Sequence, residues 1–199
     1  PLLLIKEIID GFEVSAAHMR QAGLDGVELV ASHGYLLGQF LNSNINQRSD
    51  AYGGSRAGRM RFLQEAIAAT RRGAGEDMVL GVRLSGEEKD HHGVEIDEML
   101  EVCAAMDANP ALDYLNVTAG TSAGLAGSTH IVPPMAYEAA YTAPIAAAIK
   151  ARVSKPVFVA GRINQPQAAA AVLQSGQADM CGMTRALISD PQMPAKAAR

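Results

Sequence analysis

A histidine and a tyrosine stand two residues apart in Val30-Ala31-Ser32-His33-Gly34-Tyr35, directly after an apolar run that reads as a strand. Where a parallel strand ends, an imidazole and a phenol can each hydrogen-bond a carbonyl or amine of a substrate, or move its proton. The same positions also suit a Tyr35 ring packed in the core and a His33 that caps a turn. Arg83 stands near the end of a second apolar run, Gly81-Val82-Arg83-Leu84-Ser85. A guanidinium there is costly unless it meets an anion or an electron-rich ligand, the alternative being an ion pair with Glu87, Glu88 or Asp90 in the next loop. Two later run ends, Ala160-Gly161-Arg162 and Gly182-Met183-Thr184-Arg185, each offer backbone N–H groups at an uncrowded turn beside a cation. That combination suits a phosphate monoester, although glycines that only permit tight packing would look the same. His130 is the strongly polar candidate in the long glycine-rich stretch from Gly120 to Pro134, where a solvent-exposed loop histidine is the other reading. His91-His92 lie among charged residues and read as solvated surface, so no metal ligand is assigned.

Apolar positions Ile5, Ile8, Phe12, Ala16 and Met19 recur at helical spacing, and Gly23 stops that helix before a strand over Gly26 to Ala31. Ser55 suits the N-cap of a helix that buries Phe62, Leu63, Ala66, Ile67 and Thr70 and closes at Gly73. Gly58 in its first turn costs about 1 kcal/mol of helix propensity relative to alanine. Strand Val79 to Leu84, helix Ile96 to Met106, strand Tyr114 to Thr118 and helix Tyr137 to Ile149 follow. Strand Pro156 to Ala160, helix Gln165 to Gln174, strand Met180 to Met183 and a helical turn after Pro191 complete the chain. The alternation predicts right-handed crossovers and a parallel sheet, and short apolar strands predict cover on both faces. Five strands fit either an open doubly wound sheet or a (β/α)8 barrel lacking its first three units, since a closed barrel runs to roughly 250 residues. The helix-first start without an initiator methionine favours the incomplete barrel, as one truncated domain over residues 1–199.

With 48% hydrophobic and 19% charged residues, the 199-residue chain has the composition of an ordinary globular protein. A net charge of −4 without a basic stripe argues against nucleic acid. No apolar run reaches the roughly 18 residues of a membrane span, and no signal-peptide pattern follows Pro1, so a cytoplasmic protein is expected. Cys103 and Cys181 lack metal-ligand spacing and read as buried small residues.

The stretch His33-Gly34-Tyr35-Leu36-Leu37-Gly38-Gln39-Phe40-Leu41, followed by Asn46-x-Arg48-x-Asp50-x-Tyr52-Gly53-Gly54-Ser55, resembles the old yellow enzyme family of FMN-dependent oxidoreductases. The likeness extends from the first helix to the closing Asp190-Pro191 turn and is strongest to the branch of 2,4-dienoyl-CoA reductases, trimethylamine dehydrogenase and N-methyl amino acid demethylases. It implies an FMN-binding (β/α)8 TIM barrel represented by its last five units. It implies that His33 binds substrate, Tyr35 donates a proton, and Arg83 lies against the pyrimidine edge of the flavin. Ala160, Gly161, Arg162, Gly182, Met183, Thr184 and Arg185 match the phosphate-binding segments, and His130 corresponds loosely to a substrate-facing histidine of the dienoyl-CoA reductases. The partners implied are NAD(P)H or another electron carrier and a small-molecule substrate, and a homo-oligomer is compatible with them. Larger members of the branch add a [4Fe-4S] centre and a second nucleotide, whose ligands are not in this chain. Small amines or N-methyl compounds are the expected substrates, with 2,4-dienoyl-CoA or other enoates as the alternative. Enoate reductases of the family usually carry a histidine where this chain has Val30, and Arg56-Ala57-Gly58-Arg59 replaces a Leu-Glu-Asn-Arg-like run. Outside the resemblance, a phosphate-binding isomerase or aldolase would need a lysine or carboxylate base at a central strand end, and Lys89 and Glu87 lie in a loop. A third reading is a fragment that is inactive alone.

Overall fold

The computed structural model describes residues 1–198. Helix α1 (Leu2–Gln21) leads into β1 (Gly26–Ala31), α2 (Leu36–Leu41) and α3 (Arg56–Ala74). Then come β2 (Val79–Glu87), α4 (Ile96–Asp107), β3 (Tyr114–Ala119), α5 (Leu125–Ile131) and α6 (Ala143–Lys150). The chain continues through β4 (Val157–Ala160), α7 (Pro166–Gln174), β5 (Met180–Gly182), α8 (Thr184–Ser189) and α9 (Met193–Ala197). The strands form one five-stranded sheet in the order β1-β2-β3-β4-β5, every neighbouring pair parallel. A doubly wound sheet reverses its strand order at a switch point, and this one does not.

One face of the sheet is apolar. Leu29, Ala31, Leu80, Val82, Leu84, Leu115, Val117, Ala119, Val157 and Val159 are buried in a single core with Phe62, Leu63 and Ile67 of α3, Met99 and Met106 of α4, and Ile149 of α6. The alternate residues face the other way and include Glu28, Arg83, Asn116 and Thr118, with Val30 41% and Met180 52% exposed. The expectation of cover on both faces is therefore corrected. Consecutive right-handed crossovers in one direction bring α1, α3, α4, α6 and α7 to the same side, and the strands alternate in polarity because the apolar core is on that side alone.

Ser55 caps α3 as its sequence suggests, its Oγ accepting from Gly58 N at 3.1 Å. Gly58 is more than a weak helix residue, because a Cβ there would collide with the Gly53 carbonyl. Gly73 does not close the helix. It lies inside α3, where α1 passes so close that a Cβ would overlap the Glu13 carbonyl, and the helix ends at Gly75 with φ 74°. The expected helix from Tyr137 starts only at Ala143, after Ala140 with φ 56° has broken the helical path. Three short helices, α2, α5 and α8, occupy segments that carry too few turns to show a periodicity. Arg59 is buried and donates to the Leu41 carbonyl at 2.9 Å and the Gly54 carbonyl at 2.7 Å, while its Nη2 meets Glu98 at 2.5 Å. These bonds fasten the 42–55 loop to α3. Among the described residues no helix is long and apolar enough to cross a membrane.

Gly11 of α1 and Gly73 of α3 give opposite expectations. Gly73→Ala forces α1 away from α3 and should lower unfolding stability by about 1–3 kcal/mol. Gly11→Ala meets nothing within 4 Å and should be neutral or stabilising by up to about 1 kcal/mol. Urea denaturation of the two variants beside the parent chain measures both; equal midpoints would show that α1 does not pack as described.

Candidate functional site

A cleft of about 700 Å³ opens at the C-terminal ends of the strands. His33, Arg83, Ala160, Gly161, Arg162, Gly182, Thr184 and Arg185 all line it, together with Thr118. Ile131, Val132, Pro133 and Met135 form an apolar rim from the segment after α5. Residues spread over more than 150 positions of sequence thus share one site. Tyr35, His130 and Met183 are not part of its wall.

His33 adopts a left-handed conformation, φ 61°, unusual for a residue with a side chain. Its neighbours hold it there. Its N–H donates to Ser85 Oγ at 2.9 Å, Ser85 Oγ donates to the Gly120 carbonyl at 2.8 Å, and the His33 carbonyl accepts from Ser122 N at 2.9 Å. Gly34 follows with φ 72°, and a Cβ on it would overlap Thr121 Oγ1. Two residues at the end of β1 are therefore clamped between β2 and the loop after β3. Burial, and then the positive charge of Arg83, push the His33 pKa below the ordinary histidine value; the carbonyls of Gly120 and Ala119 oppose this. Its Nδ1 is buried without a hydrogen-bond partner. Tyr35 stands at the N-cap position of α2 without a side-chain cap bond and is 54% exposed, its ring edge-on to His33 at 6.4 Å, so it is not a core residue.

Arg83 has a partner that its own loop does not supply. Its Nε lies 2.8 Å from Glu28 Oε1, on β1, as an ion pair whose N–H is not aimed along the contact. The nearer candidates in sequence are otherwise engaged. Glu87 pairs with Lys89 at 2.6 Å, Glu88 accepts from Asn42 Nδ2 and Val94 N at 2.8 Å each, and Asp90 accepts from Gly127 N at 3.1 Å. Glu28 Oε2 also accepts from Tyr114 Oη at 2.9 Å and Asn116 Nδ2 at 2.8 Å. The signal for Glu28 was present in the sequence as a lone carboxylate inside Gly26-Val27-Glu28-Leu29-Val30-Ala31. Strand parity places it on the same face as Arg83, since Glu28 is in register with Gly81 and Val30 with Arg83.

The other half of the cleft contains the two arginine turns. Gly161 has φ 156° and Arg162 φ 52°, and Thr142 lies against Gly161 so closely that no side chain fits. Arg162 donates to the Tyr137 carbonyl through Nε and to the Met135 carbonyl through Nη2 at 3.2 Å, while Arg185 Nη1 donates to the Pro133 carbonyl at 3.0 Å. Met183 packs its side chain against the core, which leaves only its backbone for the turn. His130 is half-buried in α5, not exposed in an open loop; its ring lies 4.7 Å from Tyr137 and 5.6 Å from Tyr141, whose hydroxyl donates to the His130 carbonyl at 2.8 Å. Burial and then Lys89 lower its pKa.

A family model described as NADH:flavin oxidoreductase / NADH oxidase family matches residues 4–199. The N,N-dimethylglycine/sarcosine dehydrogenase of Chromohalobacter salexigens is 37% identical over 192 residues, covering 96% of the chain and 28% of that relative. A 2-naphthoyl-CoA reductase structure superposes with TM-score 0.89 at 31% identity, over 98% of the chain and 29% of its own. The old yellow enzyme homologue of Zymomonas mobilis superposes with TM-score 0.77 at 25% identity, over 98% of the chain and 52% of its own. The chain thus spans less than a third of the curated relative it matches.

The depressed His33 pKa sets a pH dependence. The unfolded chain takes up this proton first as pH falls below about 6.5, so His33 should cost stability from there down through its lower folded value. His33→Asn, which tolerates a left-handed backbone, should flatten this part of the acid limb between about pH 7.5 and 5 in urea midpoints. An unchanged limb would show that the imidazole is not desolvated.

Proposed function

The chain belongs to the NADH:flavin oxidoreductase / NADH oxidase family, and from that premise we propose that the whole protein is an FMN-dependent oxidoreductase acting on small amines or N-methyl compounds. The observation that carries this reading is the convergence of Arg83, Arg162, Arg185 and His33 on one strand-end cleft. The residues fit the cofactor. The Arg83 guanidinium lines the cleft, is 38% exposed at its side chain, and donates none of the side-chain hydrogen bonds found among the described residues. Its N–H groups are available to a ring edge that carries oxygen and nitrogen. The Gly161 and Gly182 turns, with Ala160, Met183 and Thr184, leave backbone near two guanidinium groups, suited to one terminal phosphate.

When bound, FMN supplies a hydride acceptor and donor at N5. In this reading Arg83 holds the pyrimidine edge and balances negative charge there. Arg162 and Arg185 hold the phosphate. His33, neutral near pH 7, hydrogen-bonds the substrate, and Tyr35 holds or donates a proton at Oη. His130 shapes the loop above the cleft through Tyr137 and Tyr141. We assign the open sheet face to strand–helix units outside this chain that complete a (β/α)8 barrel. A [4Fe-4S] centre, a second nucleotide and an electron carrier such as NAD(P)H belong to the same reading of the whole protein, and no residue of this chain is assigned to the first two.

The N-methyl substrate class is supported by the dimethylglycine/sarcosine dehydrogenase relative and by Val30, which supplies no hydrogen bond for activating a carbonyl. The likeness to 2-naphthoyl-CoA reductase supports the enoate alternative. An isomerase or aldolase is less well supported, because among the described residues the cleft wall carries no lysine and its carboxylate, Asp190, pairs with Lys196 at 2.9 Å.

Full-length protein reconstituted with FMN should be reduced by an N-methyl amine faster than it, once reduced, is reoxidised by an enoyl-CoA. Stopped-flow absorbance of the flavin measures both rates, and the reverse order selects the enoate reading. Arg162→Ala and Arg185→Ala should each weaken FMN binding by about tenfold or more, measured by fluorescence titration. The 199-residue chain alone should bind FMN weakly or not at all; tight stoichiometric binding would show that the open face takes no part in holding the cofactor.

A further inference from the structure

We propose that Glu28 is a positioning residue, which fixes the Arg83 guanidinium beneath the cleft and sets how much positive charge that cleft presents to a bound ring. Glu28 is outside the cleft wall, whereas Arg83 is in it. The carboxylate is used on both oxygens. Oε1 faces Arg83 Nε at 2.8 Å, and Oε2 takes hydrogen bonds from Tyr114 Oη at 2.9 Å and Asn116 Nδ2 at 2.8 Å. Tyr114 in turn stacks on Phe158 with ring centroids 4.3 Å apart and planes 18° from parallel. One anion on β1 is therefore held from β2 and β3 and braced by β4. Only 19% of its side chain is exposed, which places the pair where its charges are weakly screened.

The arrangement separates two jobs of one arginine. Nε is buried against Glu28, and the remaining donors of the fork are left for the cleft. Paired at this distance, Arg83 presents less net charge than a lone cation would. Glu28→Gln removes the counter-charge with little change of shape. Asn116, which already meets Glu28 through Nδ2, has its Oδ1 buried without a partner, an acceptor left over in the network for the new amide.

The flavin part of this inference rests on the FMN reading, and the experiment separates the two. In the FMN-loaded full-length protein, Glu28→Gln should favour the reduced flavin. Its reduced-to-oxidised ratio against a reference dye should rise about tenfold, about 30 mV for a two-electron couple. Glu28→Asp, which keeps the charge, should stay within about threefold of the parent. In flavin-free protein, exchange of the Arg83 Nε–H, read by ¹⁵N NMR, should quicken about tenfold in Glu28→Ala. Faster exchange in a protein that takes up no FMN retires the FMN reading and supports the positioning role. Unchanged exchange, or a loaded Glu28→Gln protein whose potential does not move, overturns the proposal.

Discussion

Alternate side chains of β1 to β4 are buried in one core, and crossovers that join parallel neighbours in sequence order deliver α1, α3, α4, α6 and α7 to that one face. This one-sidedness decides what the rest of the chain can do. The covered face is filled by Val, Leu, Ile and Ala and supplies the apolar burial that stabilises the fold. The other face carries Glu28, Arg83, Asn116 and Thr118; Asn116 and Thr118 are buried, and Glu28 and Arg83 pair with each other. Charge on a central strand is tolerated here because the neighbouring strand gives it a counter-charge, two residues from the position in register with it.

The strand ends depend on that frame in a second way. His33 and Arg162 both hold positive φ angles that cost free energy for residues with a Cβ. Both are compensated locally, His33 by Ser85 and Ser122, Arg162 by its carbonyl accepting from Ala140 N at 3.1 Å. A glycine stands next to each, Gly34 after the first and Gly161 before the second, so that one chain reversal is shared between a permissive residue and one that lines the cleft. The side chains at such turns are aimed by backbone strain. Few rotamers then remain to be selected by a ligand.

Much of this was legible in the residues. Strand runs such as Leu80-Gly81-Val82-Arg83-Leu84, the Ser55 cap and the arginine turns carry their physics locally, in alternation, in a hydroxyl before a helix, and in glycine beside a cation. What was not legible depends on distant chain. Gly73 reads as a helix stop until α1 is laid across it, and Gly58 reads as a flaw until the Gly53 carbonyl is seen against it. His130 reads as loop surface until Tyr137 and Tyr141 close around it. Glu28 was hidden differently. A charge in an apolar strand is as visible as Arg83, but the hydrophobic pattern around Glu28 masks it, and the partner of Arg83 lies one strand over and not in its own loop.

Val30 brings the two faces and the proposed chemistry together. It is in register with Arg83 and points to the open side, where it is 41% exposed, in the position at which enoate reductases of the resembling family usually carry a histidine. Polarising a carbonyl takes a donor at that place, and a valine has none. The groups that remain are a histidine kept neutral by burial and an exposed tyrosine. A neutral imidazole beside an arginine is a poor host for a second cation but can accept a hydrogen bond from an amine or donate one to a carboxylate. A substrate that enters as an uncharged amine and loses hydride makes no demand on the missing donor. In the proposed function, the replacement of one hydrogen-bonding side chain by Val30 thus shifts the balance from reducing an activated alkene toward oxidising a carbon next to nitrogen.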